Sequence, residues 1–248
     1  MARTPSAEYL VLDIETVPDL QRWTAPDPSA NASAFPPNWA HRVVTIGYAW
    51  LDHGYRLKRF GVVASHPSPD VAADARERGL LAELAKLIER TRPTLVTYNG
   101  RSFDLPVIAV RSLCHGVPMR WYYRERNVRA RYSDDGHLDL CDWLADHGAT
   151  RAGSLDALAH LIGLPGKVGV DGSQVAGLYE AGQLDAIERY CLSDVAQTAL
   201  LLVRFRLLQG ELSPDRYRAT ATALLDAFAG DARVQPVLAT TDRAHLLA

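Results

Sequence analysis

The sequence predicts an α/β domain organised around one sheet. Three observations carry that expectation: an unbroken apolar run near the N-terminus, two further β-type runs directly after it, and an exchange of helical and strand periodicity from Leu80 onward. From Glu8 to Ile14 the chain reads Glu-Tyr-Leu-Val-Leu-Asp-Ile, short and apolar as a central strand covered on both faces requires. A segment rich in Pro and Ala, Pro18 to Asn38, has no apolar period and reads as a loop. Val43 to Trp50 and Tyr55 to Phe60 follow as strands joined across Asp52-His53-Gly54, residues suited to a hairpin turn. Three strands in succession predict an antiparallel meander.

Leu80, Leu81, Leu84, Leu87 and Ile88 then recur at helical spacing, and Thr94 to Tyr98 forms a short strand behind Pro93. Phe103 to His115 reads as a helix that tolerates Pro106 in its first turn. His137 to Leu140 reads as a short strand or turn, and Leu155 to Ile162 as a helix with Ser154 at its N-cap. The strongest helix spans Leu184 to Leu208, with Leu184, Ile187, Cys191, Val195, Thr198, Leu202 and Phe205 in a stripe. A further helix is expected from Pro214 to Phe228. No linker divides the chain, so residues 1–210 form the main domain and 211–248 a helical extension and tail of the same domain.

Composition narrows the function. The 248 residues are 48% hydrophobic and 23% charged, which excludes a disordered, collagenous or coiled-coil chain. Lys plus Arg is 27 against 29 for Asp plus Glu, so nucleic-acid affinity would need a local basic patch or metal ions. Three cysteines without CxxC spacing argue against a disulfide framework or structural zinc site. No run of about 18 apolar residues occurs, and the expected setting is the cytoplasm, with no membrane partner.

The chemistry lies in the acids. Asp13 and Glu15 are two apart on a strand and therefore share a face. Adjacent carboxylates at the end of an apolar strand repel one another and lose hydration, which a hard divalent cation relieves. Asp104 stands at a helix start behind Asn99-Gly100, where the helix dipole also favours an acid. Asp194 and Tyr190, four apart in the strongest helix, share a face. Brought together, the four acids carry the charge that two divalent ions neutralise, the requirement of two-metal phosphoryl transfer.

Leu12-Asp13-Ile14-Glu15-Thr16, Asn99-Gly100 with Phe103-Asp104, and Tyr190-Cys191-Leu192-Ser193-Asp194 resemble the three motifs of the DEDD superfamily of 3′-5′ exonucleases. The Tyr-x-x-x-Asp spacing marks its tyrosine subclass. Arg129-Ala130-Arg131-Tyr132-Ser133, His137-Leu138-Asp139-Leu140, Ser154-Leu155 and Asp171-Gly172-Ser173-Gln174-Val175 further resemble predicted exonucleases related to the proofreading domain of family B DNA polymerases.

That resemblance implies a ribonuclease-H-like mixed sheet, three antiparallel strands then parallel ones, flanked by helices. It implies two Mg²⁺ or Mn²⁺ ions, with Asp13 bridging them, Glu15 and Asp194 completing the site of the attacking water, Asp104 helping to hold the second, and Tyr190 orienting the water. The substrate would be single-stranded nucleic acid with a free 3′ end. DNA is favoured; short RNA and a non-cutting binding protein on the same fold remain alternatives. Substrate contacts are expected from Asn99, Phe103 and Lys167, and from Arg129 and Arg131 in a stretch that interleaves Arg120, Arg124 and Arg126 with Trp121, Tyr122, Tyr123 and Tyr132. His137 is read as a structural hydrogen-bonding residue beside Asp139.

Overall fold

The computed structural model describes residues 8–26, 35–64, 71–124, 127–169 and 172–248. In chain order the elements are β1 (Tyr9–Pro18), β2 (His41–Leu51), β3 (Leu57–Val62), α1 (Ala73–Thr91), β4 (Thr94–Thr97), α2 (Asp104–His115), α3 (Arg120–Tyr123), β5 (His137–Asp139), α4 (Leu140–Leu144), α5 (Leu155–Leu161), α6 (Val175–Glu180), α7 (Leu184–Leu208), α8 (Pro214–Ala229), α9 (Gln235–Leu238) and α10 (Arg243–Leu246). The sheet order is β3-β2-β1-β4-β5, with β1 central. β1, β2 and β3 form the antiparallel meander, and β4 and β5 add parallel strands beside β1. This is the ribonuclease-H-like mixed sheet with helices on both faces.

The period of two along β1 sorts its side chains between two cores. Leu10, Leu12 and Ile14 pack with α1 and α2, whereas Tyr9 and Val11 face α7 and α8. Asp13 and Glu15 have the parity of Tyr9 and Val11 and therefore point to the α7 side. The strand does not stop at Ile14 as expected. β2 goes on pairing as far as Val17 opposite Arg42 and Pro18 opposite His41, with the register shifting between Glu15 and Thr16. The acids thus lie inside a paired strand, on backbone that cannot swing away.

The expected Tyr55 strand start also moves. Tyr55 has φ 63 and belongs to the turn, where the Asp52 carboxylate accepts from Gly54 N–H at 2.8 Å and Arg56 N–H at 2.9 Å, so β3 begins at Leu57. α7 spans the expected residues, but its burial is no stripe: from Val195 to Val203 every residue is buried. It is wedged between the sheet and α8, whose Tyr217, Leu224, Leu225 and Phe228 share its core. A helix enclosed on all sides has no polar face to maintain. Ser154 and Ser213 cap α5 and α8 as their hydroxyls accept from Ala157 and Arg216 N–H. No helix among the described residues is long and apolar enough to cross a membrane.

Candidate active site

Glycine lets α7 come down on the acids. Gly47 of β2 lies opposite Asp13, and a Cβ there would stand 2.8 Å from Cys191 Sγ. With that space free, the Cys191 thiol reaches Asp13, lying 3.4 Å from its Oδ2. Tyr190 beside Cys191, and Asp194 one turn on, are near the same carboxylates. Asp104, the first residue of α2, is buried and takes a hydrogen bond from the Ile14 backbone, between Asp13 and Glu15. The four acids expected from three separate segments therefore meet in one place.

Burial and mutual charge shape the carboxyls of this cluster. Burial, then the charges of Glu15, Asp104 and Asp194, push the Asp13 carboxyl well above its ordinary range. Glu15 is raised by burial and by Asp194 and Asp104, with Lys167 opposing. Burial drives Asp104 up to about 7 and Asp194 to about 6, the latter held back by the Lys167 ammonium and a hydrogen bond from Tyr190. Burial and the Asp194 charge raise the Tyr190 phenol, which stays protonated across the neutral range.

Asp139 shapes the second wall. It accepts from Asn99 N–H at 2.8 Å and Arg101 N–H at 2.7 Å while capping α4 through Cys141 and Asp142 N–H. The turn it folds has Asn99 at φ 65, and at Gly100 a Cβ would fall 2.6 Å from Thr97. That tight reversal delivers Phe103 and Asp104 to the site. His137 is a buried structural residue as expected: its Nε2 is 2.8 Å from Thr97 Oγ1, and burial lowers its pKa to about 3.

Lys167 is exposed on a loop whose root is fixed. Gln197 in α7 accepts from Gly166 N–H at 2.7 Å and donates to Gly166 O at 3.1 Å, and Asp156 accepts from Lys167 N–H. Lys167, Arg189, Tyr190, Asp194 and Arg233 border a cavity of about 310 Å³ beside the acids. Replacing Gln197 by Leu would leave both buried Gly166 groups unpaired, at about 1–3 kcal/mol each. Gln197→Leu is therefore expected to lower stability in urea by about 2 kcal/mol and to slow any turnover that uses Lys167; an unchanged denaturation midpoint would show that the clamp holds nothing.

The basic stretch divides. Arg129 lies over Tyr123 at 5.3 Å and Tyr122 at 5.8 Å. Arg131 is committed to Asp142, with Nη2 at 2.7 Å, and to the His147 carbonyl. Arg126 and Asp171 lie outside the described residues. Gln197 and Cys191 acquire their places only through the packing of α7, and sequence spacing singles out neither as a site residue.

The donors suit a divalent cation. Ligand atoms of Asp13, Glu15 and Cys191 all lie within 4.8 Å of one another, and the repelling charges around them call for a cation. A second group, Asp74, Glu77 and His115, has the same compactness but already holds its cations. Arg111 forks onto Glu77 at 2.6 and 2.7 Å and pairs with Asp19 at 2.8 Å, while Arg22 and Arg42 pair with Asp74. That network ties the end of β1 to α1 and α2.

Among curated proteins none matches. Over its full length the chain superposes on 29% of the family B DNA polymerase from the hyperthermophilic archaeon Pyrobaculum calidifontis, with a TM-score of 0.58 and 18% identity. At that identity the likeness establishes the fold. The model of the predicted 3′-5′ exonucleases related to the exonuclease domain of PolB matches residues 33–240, beginning after β1 and so after Asp13 and Glu15. By that match across most of its length, the chain belongs to the family of predicted 3′-5′ exonucleases related to the exonuclease domain of PolB.

Proposed function

We propose that the protein is a cytoplasmic, metal-dependent 3′-5′ exonuclease of the tyrosine subclass, acting on single-stranded nucleic acid with DNA favoured. The observation that carries this reading is the convergence of Asp13, Glu15, Asp104 and Asp194, each raised in pKa by burial and two of them, Asp13 and Glu15, also by the charges of the others. Asp13, Glu15 and Asp194 would hold one Mg²⁺ or Mn²⁺, and Asp13 with Asp104 a second. When bound, these ions lower the pKa of water and offset charge on the attacking and leaving oxygens.

The chain's own residues do the rest. Tyr190 gives its only hydroxyl proton to Asp194, which leaves its oxygen lone pairs to accept from the attacking water and aim it at phosphorus. A phenol held protonated at neutral pH is an orienting group and not a base. The water oxygen bonds to phosphorus as the P–O3′ bond breaks, releasing a nucleoside 5′-monophosphate and a shortened strand with a new 3′-hydroxyl. Lys167 faces this chemistry with a charge that favours the ionised forms of Asp194 and Glu15 and that can meet a phosphate. Arg129, free of any carboxylate among its described contacts, is the better phosphate ligand of the arginine pair, while Asn99 and Phe103 line the approach on the Asp104 side.

The reading is tested with 3′-labelled and 5′-labelled oligonucleotides, DNA and RNA, in Mg²⁺ or Mn²⁺. A ladder on the 5′-labelled strand with immediate loss of label from the 3′ end supports it, and no cleavage of either polymer refutes it. Tyr190→Phe should slow cleavage by about 10–10³-fold, a few kcal/mol of barrier, with metal affinity largely kept. An unchanged rate would leave the ring a packing role alone.

A further inference from the structure

The four acids do not belong to one layer. Asp13 and Glu15 point to the α7 side of the sheet, whereas α2, which begins at Asp104, packs on the opposite side, with Leu105, Val107 and Ile108 in one core with Leu12 and Ile14. The separation of Asp104 from Asp13 therefore depends on where α2 sits along β1. Apolar packing is non-directional and fixes that placement poorly. Arg111 supplies the direction: it lies about two turns after Asp104 on the same face of α2. Its guanidinium forks onto Glu77 of α1, Nε to Oε1 at 2.7 Å and Nη2 to Oε2 at 2.6 Å, while Nη1 meets Asp19, just beyond β1, at 2.8 Å and the Trp39 carbonyl at 3.3 Å.

The anchors are themselves held. Glu77 Oε1 accepts from Val43 N–H at 2.8 Å, and Val43 flanks the register shift beside the acids, where Glu15 pairs with Thr45 and Thr16 with Val43. Asp19 also takes Arg22 at 2.8 Å and Arg42 at 3.1 Å. Arg111, Glu77 and Asp19 are each 1% exposed, so water screens none of the contacts among them. Ion pairs buried this deeply cost the hydration of both charges, and replacing such pairs by packed apolar residues is often neutral for stability. What the charges add is geometry: a planar fork across a carboxylate fixes distance and angle, which a cluster of leucines does not.

We propose that Arg111 is a positioning residue for the second cation: by locking α2 to α1 and to the end of β1, it sets the separation of Asp104 from Asp13. This deepens the exonuclease reading and rests on it, because Asp13 with Asp104 would hold that ion. Mg²⁺ demands near-octahedral oxygens at about 2.0–2.1 Å, so a small slide of α2 is felt there. Asp13, Glu15 and Asp194 are carried by β1 and α7, and the ion they would share does not depend on α2. Loosening Arg111 should accordingly tell the two ions apart.

The test is a Mn²⁺ titration of the full chain, followed by the paramagnetic resonance of free Mn²⁺, with single-strand cleavage measured in parallel. Arg111→Lys keeps the charge and loses the fork. It should bind the first ion like the parent and the second about 10–100-fold more weakly, the range for residues that hold a metal ligand in place. At limiting Mn²⁺ its kcat should fall by a similar factor, with KM for the strand unchanged. Leu84→Ala, which opens a cavity in the apolar core beneath α1, should lower the melt yet bind both ions like the parent. Should Arg111→Lys fail to fold, Asp19→Asn, which spares the Glu77 fork, decides by the same titration. Parental affinity for both ions, equal weakening of both, or the same selective loss in Leu84→Ala overturns the positioning role and leaves the nuclease reading in place. A parent protein that binds fewer than two Mn²⁺ ions also overturns it, and one that in addition shortens no oligonucleotide overturns the nuclease reading as well.

Discussion

Asp13→Asn should reduce turnover by at least about 10³-fold, some 4 kcal/mol of barrier, while the purified variant melts at or above the parent temperature in the absence of divalent ions. Both parts follow from one fact: Asp13 is buried among Glu15, Asp104 and Asp194, and burial, then their charges, push its carboxyl up. Neutralising it removes repulsion that the folded chain must bear, and it also removes the donor that both cations would share. An ordinary loss-of-function substitution lowers activity and stability together; this one should separate them. Cleavage near the parental rate, or a melt several degrees lower, would remove Asp13 from the centre of the site.

Stability itself should respond to pH and metal. Burial and like charges hold protons on Asp104 to about 7 and on Asp194 to about 6, against about 3.9 for an unfolded aspartate. Raised carboxylates make the folded state bind more protons than the unfolded one, so their contribution is complete below about pH 4 and is lost as pH rises through the folded values. His137, depressed to about 3 by burial, works in the opposite sense, but its effect is complete once pH passes the unfolded histidine value of about 6.5. Between about pH 6.5 and 8.5 the acids decide. Metal-free protein should melt about 2–4 °C lower at the upper end of that window, about 1 kcal/mol spread over a chain of this size. Added Mn²⁺ should raise the melt most at high pH, because it then displaces the fewest protons. A flat melting temperature across the window, with or without Mn²⁺, would contradict a site built from repelling carboxylates.

Much of this site is legible in the chain because its parts are local. Asp-x-Glu on a strand needs only a period of two, Tyr190 and Asp194 only a period near four, and the Asn-Gly turn before Asp104 only backbone conformational preference. What stays hidden depends on partners far away in sequence. The length of β1 was set by its pairing with β2 as far as Pro18, which apolarity alone does not reveal. Asp139 looks like a residue beside a histidine until the Asn99 and Arg101 amides close on it. Gln197 is a polar residue in an apolar helix until Gly166 arrives. Phe35 lies in a stretch of Pro and Ala with no period to read, and its ring contacts with His41 and Phe103 appear only in the fold.

The enclosure of α7 couples heredity to chemistry. The helix that presents Tyr190 and Asp194 also shares a core with Tyr217, Leu224 and Phe228 of α8 and with Leu246 near the C-terminus. A lineage therefore cannot revise the C-terminal helices without disturbing the helix that carries two of its site residues. Temperature-sensitive alleles selected for loss of nuclease function should map to α8 and α10 as readily as to the acids, and suppressors of them should repack α7 rather than touch the carboxylates.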